Sequence, residues 1–342
     1  MTITFLFPIL IIRERGDGHL LLVEKMSEDF HETSIEKQSL TVLGIYKDLI
    51  YVRIACRVYA IQNRRIAMSP ISVSIQDELD FRSLDLYPGD SGEVTPEKIT
   101  IKSLVIDISN PKVISLKLSG STKSDGFLKE IIQWEDLLRE VMKDTLDEKS
   151  QLTAEGNVPL KGIGEVILGM KSLKSISHVR TDESGVHVQE IFTRRVNDFI
   201  LKFQDGKETS FECLAHVIGL GPGLTPSGDD FLSGLLSLLW YLDEENEVSL
   251  FKNSVLRRML PRADGTTPVS MAFLKAAMNG EFTESILDLY QAMGRNKVEE
   301  SKEILREISK QGHSSGTDIL AGILFGMIVV RKREYEELRR RR

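Results

Sequence analysis

Cysteine is almost absent. Cys56 and Cys213 are the only two in 342 residues. Two thiols cannot build a disulfide framework or a cysteine-rich zinc site, and such sparing use suits a reducing cytoplasm. A basic excess is also lacking: the formal net charge is −7. A general nucleic-acid binder needs a large basic face, so that class is set aside. No apolar run reaches the ~20 residues of a membrane span. The run from Ile3 to Ile12 contains Pro8 and has no basic residues before it, so it reads as a core element rather than a signal peptide. Ile319 to Val330 is short and carries Gly322 and Gly326. The expectation is a cytoplasmic chain with no membrane and no nucleic-acid partner.

What is present is an ordinary globular balance, 41% hydrophobic and 28% charged, over a length that suggests about two domains. The first third reads as β structure. Thr2–Ile12 and His19–Val23 flank an Asp-Gly turn signal within residues 13–18. Further strand-like pieces lie at Leu49–Ala60, Arg65–Ile75, Lys98–Ile108 and Lys112–Leu118, rich in Ile, Val and Tyr. Short strands with turns between them suggest a small antiparallel barrel or sandwich. Residues 119–126 are polar and Gly/Ser-rich, a linker. Beyond them helical spacing dominates, first through Ile131, Leu138, Val141, Met142 and Leu146. Helices then follow near Val188–Phe203, Ser210–Ile218, Asp229–Leu242, Val248–Leu260, Pro268–Met278, Thr283–Met293, Lys297–Ser309 and Asp318–Arg339. The predicted fold class is α+β, with a β domain over 1–118 and a mainly helical domain over 119–342. The last twelve residues carry seven basic and three acidic side chains, which reads as a solvated helix end.

The most unusual segment is Gly219 to Gly234. Four glycines and two prolines lie between 219 and 228, and an almost wholly apolar helix follows. Glycine lets backbone approach a ligand closely, and a loop opening a helix can offer N–H groups to an anion. Known phosphate loops do not match. Gly223 to Gly228 has the P-loop glycine spacing, but Asp229 and Asp230 replace Lys-Ser/Thr. The dinucleotide fingerprint fails at Leu224. The plain structural alternative is a helix cap, with Ser227 as N-cap and the two acids in the first turn. A cap does not require four glycines and two prolines.

A second segment echoes the first. Residues 227–236 align without gaps to 315–324, with six of ten positions identical. Each copy reads Ser-Gly-x-Asp and then an apolar helix, with a second Gly at 234 or 322. The expectation is two related helix starts facing one pocket. Gly234 and Gly322 are assigned to close helix packing. In a third segment, Thr267 and Pro268 read as N-cap and first helical residue, which leaves Thr266 and Ser270 without a role.

These patterns define the candidate site. Asp230, Asp318 and His313 are the candidate catalytic groups. Gly221, Gly223, Thr225, Ser227, Gly228, Asp229, Thr266, Thr267, Ser270, Ser314, Ser315, Gly316 and Thr317 are candidates for substrate binding. Backbone N–H groups of 221–228 and 314–317 would stabilise a developing oxyanion. No Lys or Arg lies between 208 and 251. Three carboxylates could therefore hold Mg²⁺ or orient a substrate nitrogen, and Arg257, Arg258 and Arg262 are the nearest source of positive charge in sequence. Histidine is readily poised near neutral pH, but the other five histidines show no metal spacing. A serine-hydrolase reading fails for want of a G-x-S-x-G elbow.

The three motifs, Gly219–Gly234, Thr266-Thr267-x-x-Ser270 and Gly312–Gly322, resemble the AllH-type family in order and character. The family was long a domain of unknown function, and one member is a subunit of oxamate carbamoyltransferase in allantoin degradation. The resemblance implies carbamoyl transfer between carbamoyl phosphate and oxamate, run together with other subunits. It carries no assigned catalytic residue. Two functions remain open: an enzyme subunit acting on oxamate or another small carboxylate or amide, and a non-catalytic scaffold or small-ligand-binding subunit.

Overall fold

The computed structural model describes residues 19–120, 127–153, 163–170, 186–204, 210–242 and 246–340. The strand expected at 2–12 and most of the 119–126 linker lie outside them. The described residues divide between Ser115 and Leu116 into two compact units.

The first unit is a barrel. Its strands are β1 (His19–Ser27), β2 (Gln38–Ile45), β3 (Leu49–Ile54), β4 (Arg57–Asn63), β5 (Ser72–Ile75), β6 (Ser91–Val94), β7 (Lys98–Ile101), β8 (Leu104–Asp107) and β9 (Lys112–Ile114). Hydrogen-bonded neighbours run β5-β4-β3-β2-β6-β7-β8-β1, and β1 pairs back to β5. Eight strands thus close on themselves, which removes exposed sheet edges. The ninth, β9, extends along β1. Alternation explains the interior: Ile50, Val52 and Ile54 of β3 point inward, as do Leu21 and Val23 of β1.

The barrel is not wholly antiparallel, as the sequence suggested. β1 runs parallel to β8 and to β9, and β4 runs parallel to β5. The run Leu49–Ala60 is a hairpin rather than one strand, folded between Ile54 and Arg57. Only Ser72–Ile75 of the run 65–75 is strand. A short helix, α1 (Glu28–Ser34), follows β1 and is capped by Ser27.

The second unit is helical. It contains α2 (Phe127–Thr153), α3 (Gly164–Leu168), α4 (Val186–Gln204), α5 (Ser210–Ala215), α6 (Ser227–Tyr241), α7 (Asn246–Met259), α8 (Pro268–Met278), α9 (Glu284–Gly294), α10 (Val298–Ser309) and α11 (Ser315–Arg340). Helices α6 and α11 form its centre. Phe231, Leu232, Leu235 and Leu236 of α6 meet Leu320, Ile323, Leu324 and Phe325 of α11 in one buried cluster. Phe231 stands 5.4 Å from Phe325 and 4.9 Å from Phe192 of α4, ring centre to ring centre.

The repeated glycines explain how two apolar helices come so close. A Cβ on Gly234 would fall on the Ile319 carbonyl oxygen of α11, and one on Gly322 would fall on the Phe231 carbonyl oxygen of α6. The contact is reciprocal. A mid-helix glycine costs ~1 kcal/mol against alanine, and the backbone contact made possible here offsets it. Among the described residues, no helix is long and apolar enough to cross a membrane.

Candidate functional site

Crossing at their N-terminal ends brings the two Ser-Gly-x-Asp starts together. The Thr225 and Ser315 hydroxyls are 2.9 Å apart, so the glycine-rich loop touches the start of the opposite helix. The exchange extends to the acids. The Ser315 and Thr225 hydroxyls stand near Asp230, and the Ser227 and Ser314 hydroxyls near Asp318, close enough to favour the charged form of each acid.

Both acids are deeply buried, Asp230 at 8% and Asp318 at 0% exposure. Asp318 Oδ1 accepts the backbone N–H groups of Ile163 at 2.8 Å and Gly164 at 3.2 Å. Each aspartate keeps one buried oxygen, Oδ2, with no hydrogen-bond partner. Burial pushes the Asp230 carboxyl well above the ordinary carboxylate range, and the neighbouring Asp318 charge pushes it further. Burial also raises Asp318, to about 6, while the hydroxyl and amide donors around it work the other way.

The third acid has a different task. Asp229 Oδ1 accepts the Gly219 N–H at 2.8 Å. Its Oδ2 accepts the Ser270 hydroxyl at 2.7 Å and the Thr266 hydroxyl. Asp229 is a clasp tying the glycine-rich loop to the start of α8. This accounts for Thr266 and Ser270, which the helix cap alone left without a role. It also corrects the idea of a cation held by three carboxylates, because both oxygens of Asp229 are occupied. Among the described residues no group of three His, Cys, Asp or Glu side chains is placed to hold a metal ion.

Other expectations need correction. The N-cap of α6 is Pro226, not Ser227. Its carbonyl accepts the Asp229 and Asp230 amides. The Gly228 and Gly316 amides, expected to face a ligand, donate to the Leu220 and Gln311 carbonyls at 2.8 and 3.0 Å. These two glycines serve packing: a Cβ on either would fall on a carbonyl oxygen, of Val217 or of Ile308. Thr267 caps α8 as expected, accepting the Ser270 N–H at 3.1 Å, and its hydroxyl donates to the Leu224 carbonyl. Thr317 donates to the Ser314 carbonyl at 2.7 Å. Gly221 and Gly223 both take positive φ, 123° and 96°. At Gly221 a side chain would also meet the Ser227 amide. His313 is exposed in the turn before α11, and Arg258 is paired with Glu212 at 2.9 Å.

Sequence reasoning missed α3. Its first two amides reach Asp318, and its far end is anchored by Arg139 of α2. That guanidinium donates to the Leu168 carbonyl at 2.9 Å and to the Met170 carbonyl. Glu135, buried, binds both Arg139 at 2.9 Å and Arg331 at 3.0 Å. Even Gly164 gave no signal, since a Cβ there would meet the Thr317 carbonyl only at an ordinary contact distance of 3.4 Å.

Residues 217–327 match the family model described as oxamate carbamoyltransferase subunit AllH. The match takes in all three motifs, the α6–α11 crossing and the Asp229 clasp. The resemblance drawn from the motifs thus holds over about a third of the chain. No solved structure matches.

Proposed function

We propose that this chain, on the strength of its AllH-type segment at 217–327, is a subunit of a carbamoyltransferase that works with other subunits, and that Asp230 and Asp318 form the heart of its site. The observation that carries the reading is the pair of unpartnered Oδ2 atoms, one on each buried aspartate. A folded protein seldom leaves two buried acceptors without partners. A bound substrate is the natural partner.

The chemistry suits a buried carboxyl that can take and return a proton. In transfer from carbamoyl phosphate to oxamate, the amide nitrogen of oxamate attacks the carbamoyl carbon. A C–N bond forms, the C–O bond to phosphate breaks, and a proton leaves the nitrogen. Asp318, poised at about 6, is matched to receiving that proton at neutral pH and returning it to the departing phosphate. Asp229, Thr266, Thr267 and Ser270 hold the loop in place and touch no substrate in this reading.

The test is carbamoyl transfer by the reconstituted complex carrying Asp230→Asn or Asp318→Asn. Loss of one such contact costs on the order of 10²-fold in rate, with the variant chain still folded by circular dichroism. Turnover within about twofold of the parent for both variants would overturn the reading and leave the chain as a scaffold.

A further inference from the structure

We infer that Arg139 is a positioning residue for Asp318: by holding the far end of α3 it keeps two α3 amides on that carboxyl. This rests on the carbamoyltransferase reading above for the role of Asp318. It concerns a side chain of α2 that lies outside the three motifs and outside the matched segment 217–327.

Helix α3 is too short to hold itself. It has five residues, and no side chain caps its start at Ile163. So short a helix forms too few internal bonds to offset its own ordering. Ile163, Val166 and Ile167 are buried and pack it against the core. Its ends need partners from elsewhere, because the first amides and last carbonyls of a helix have none within it. Two other helices supply them. Asp318 of α11 accepts the Ile163 and Gly164 amides at 2.8 and 3.2 Å. Arg139 of α2 donates to the Leu168 carbonyl at 2.9 Å and to the Met170 carbonyl. From Ile163 to Leu168 is only ~7.5 Å of helix, so α3 moves as one piece. At Asp318 the two amides fix Oδ1 and favour the charged carboxylate against burial.

The donor set of Arg139 matches this task. Glu135, one turn earlier on α2, accepts its Nε at 3.2 Å and its Nη2 at 2.9 Å. Glu135 is itself held by Arg331 of α11 at 3.0 Å. The planar guanidinium thus bonds one carboxylate and two carbonyls at once, which the point charge of a lysine cannot reproduce. Nor does Arg139 merely fill the core. With Ile132, Glu135, Lys143, Leu168 and Arg331 it lines an open groove of about 600 Å³, and its side chain is 19% exposed. Removing its head group therefore leaves no sealed cavity, and Glu135 keeps Arg331 as counter-ion.

The experiment follows amide hydrogen exchange in the full chain, resolved to single residues by mass spectrometry. Arg139→Met keeps the aliphatic stem and removes every donor. The Ile163 and Gly164 amides should then exchange about tenfold faster or more, the equilibrium worth of one charge-assisted hydrogen bond, while the amides of α8 stay as in the parent. Thr145→Ala is the control. It breaks a 2.9 Å hydroxyl contact from α2 to Ser309 of α10 and touches nothing on α3. Exchange at Ile163 and Gly164 that is no faster in Arg139→Met than in Thr145→Ala would overturn the inference. Should Arg139→Met fail to fold, Arg139→Lys, expected to be intermediate, carries the same comparison. A second readout is the pH profile of carbamoyl transfer by the assembled complex. Loss of the amides disfavours the Asp318 carboxylate, so the rise of rate with pH should move to higher pH in Arg139→Met and not in Thr145→Ala. A profile that stays in place in both would also overturn it. The two readings fail separately. A parent complex without carbamoyl transfer sinks the proposed function and leaves the exchange comparison intact. Transfer that needs Asp318, with exchange untouched by Arg139→Met, sinks this inference alone.

Discussion

The starts of α6 and α11 share Ser-Gly-x-Asp yet are differently employed. At the fourth position both carry aspartate, and both aspartates end buried with one unpartnered oxygen. At the third position they diverge. Asp229 reaches out to three donors on two other segments, while Thr317 turns back to the Ser314 carbonyl of its own turn. The support of the two fourth-position acids also differs. Asp318 receives two backbone N–H groups from the start of α3, and hydroxyls lead the hydrogen bonding at Asp230. A duplicated helix start thus yields two buried carboxyls with different donor sets, which a strictly symmetric pair could not provide.

The symmetric part of the comparison should give the largest effects. Gly234→Ala and Gly322→Ala each drive a methyl group into a backbone carbonyl of the facing helix. Both should cost more than about 3 kcal/mol, at or beyond the usual range for overpacking, and the two costs should be similar. Gly326→Ala is the control, because its methyl would meet only side-chain atoms of Leu235 and Leu238. Chemical denaturation of the three variants checks this. A mild Gly234 variant beside a severe Gly322 variant would break the symmetry claimed for the crossing.

The asymmetric part comes next. Asp229→Ala leaves the Gly219 amide and the Thr266 and Ser270 hydroxyls without their acceptor. At about 1 kcal/mol or somewhat more for each donor, the loss should be about 3 kcal/mol. Thr317→Ala removes one local hydrogen bond and should cost about 1 kcal/mol. Equal losses in urea melts would show that Asp229 is no clasp.

The two units differ in how much their sequence revealed. The helical unit was legible because its signals are local. Apolar spacing marked the helices, and Thr267-Pro268 and Asn279-Gly280 marked both ends of α8. The barrel was legible only as strands. Its closure joins β1 to β5, and the parallel pairs of β1 with β8 and β9 join segments far apart in sequence, so no local pattern encodes either. The same limit applied within the site. The repeat pointed to Asp230 and Asp318, since both copies keep that acid. Nothing local separated Asp229 from them, because its partners lie 10, 37 and 41 residues away. The α3 amides on Asp318 are 154 and 155 residues distant and carry no side-chain signal at all.

The last prediction tests the raised pKa of Asp318. Asp318 titrates at about 6 in the folded chain, against an ordinary value of 3.8, because burial disfavours its charge. The folded state therefore holds this proton more tightly than the unfolded state does. Its contribution to stability is fully present below pH ~4, falls as pH rises through about 6, and is constant above that. Burial raises Asp230 as well, and its titration is common to parent and variant. Asp318→Asn preserves the acceptor for the Ile163 and Gly164 amides and never ionises. Relative to the parent, the variant should gain stability between pH 4 and 7, by no more than about 3 kcal/mol for a shift of roughly two pKa units. Urea melts of both chains at matched pH values measure the difference, and background titrations common to both cancel. A parent chain that instead gains on the variant as pH rises would mean that Asp318 is stabilised as a carboxylate.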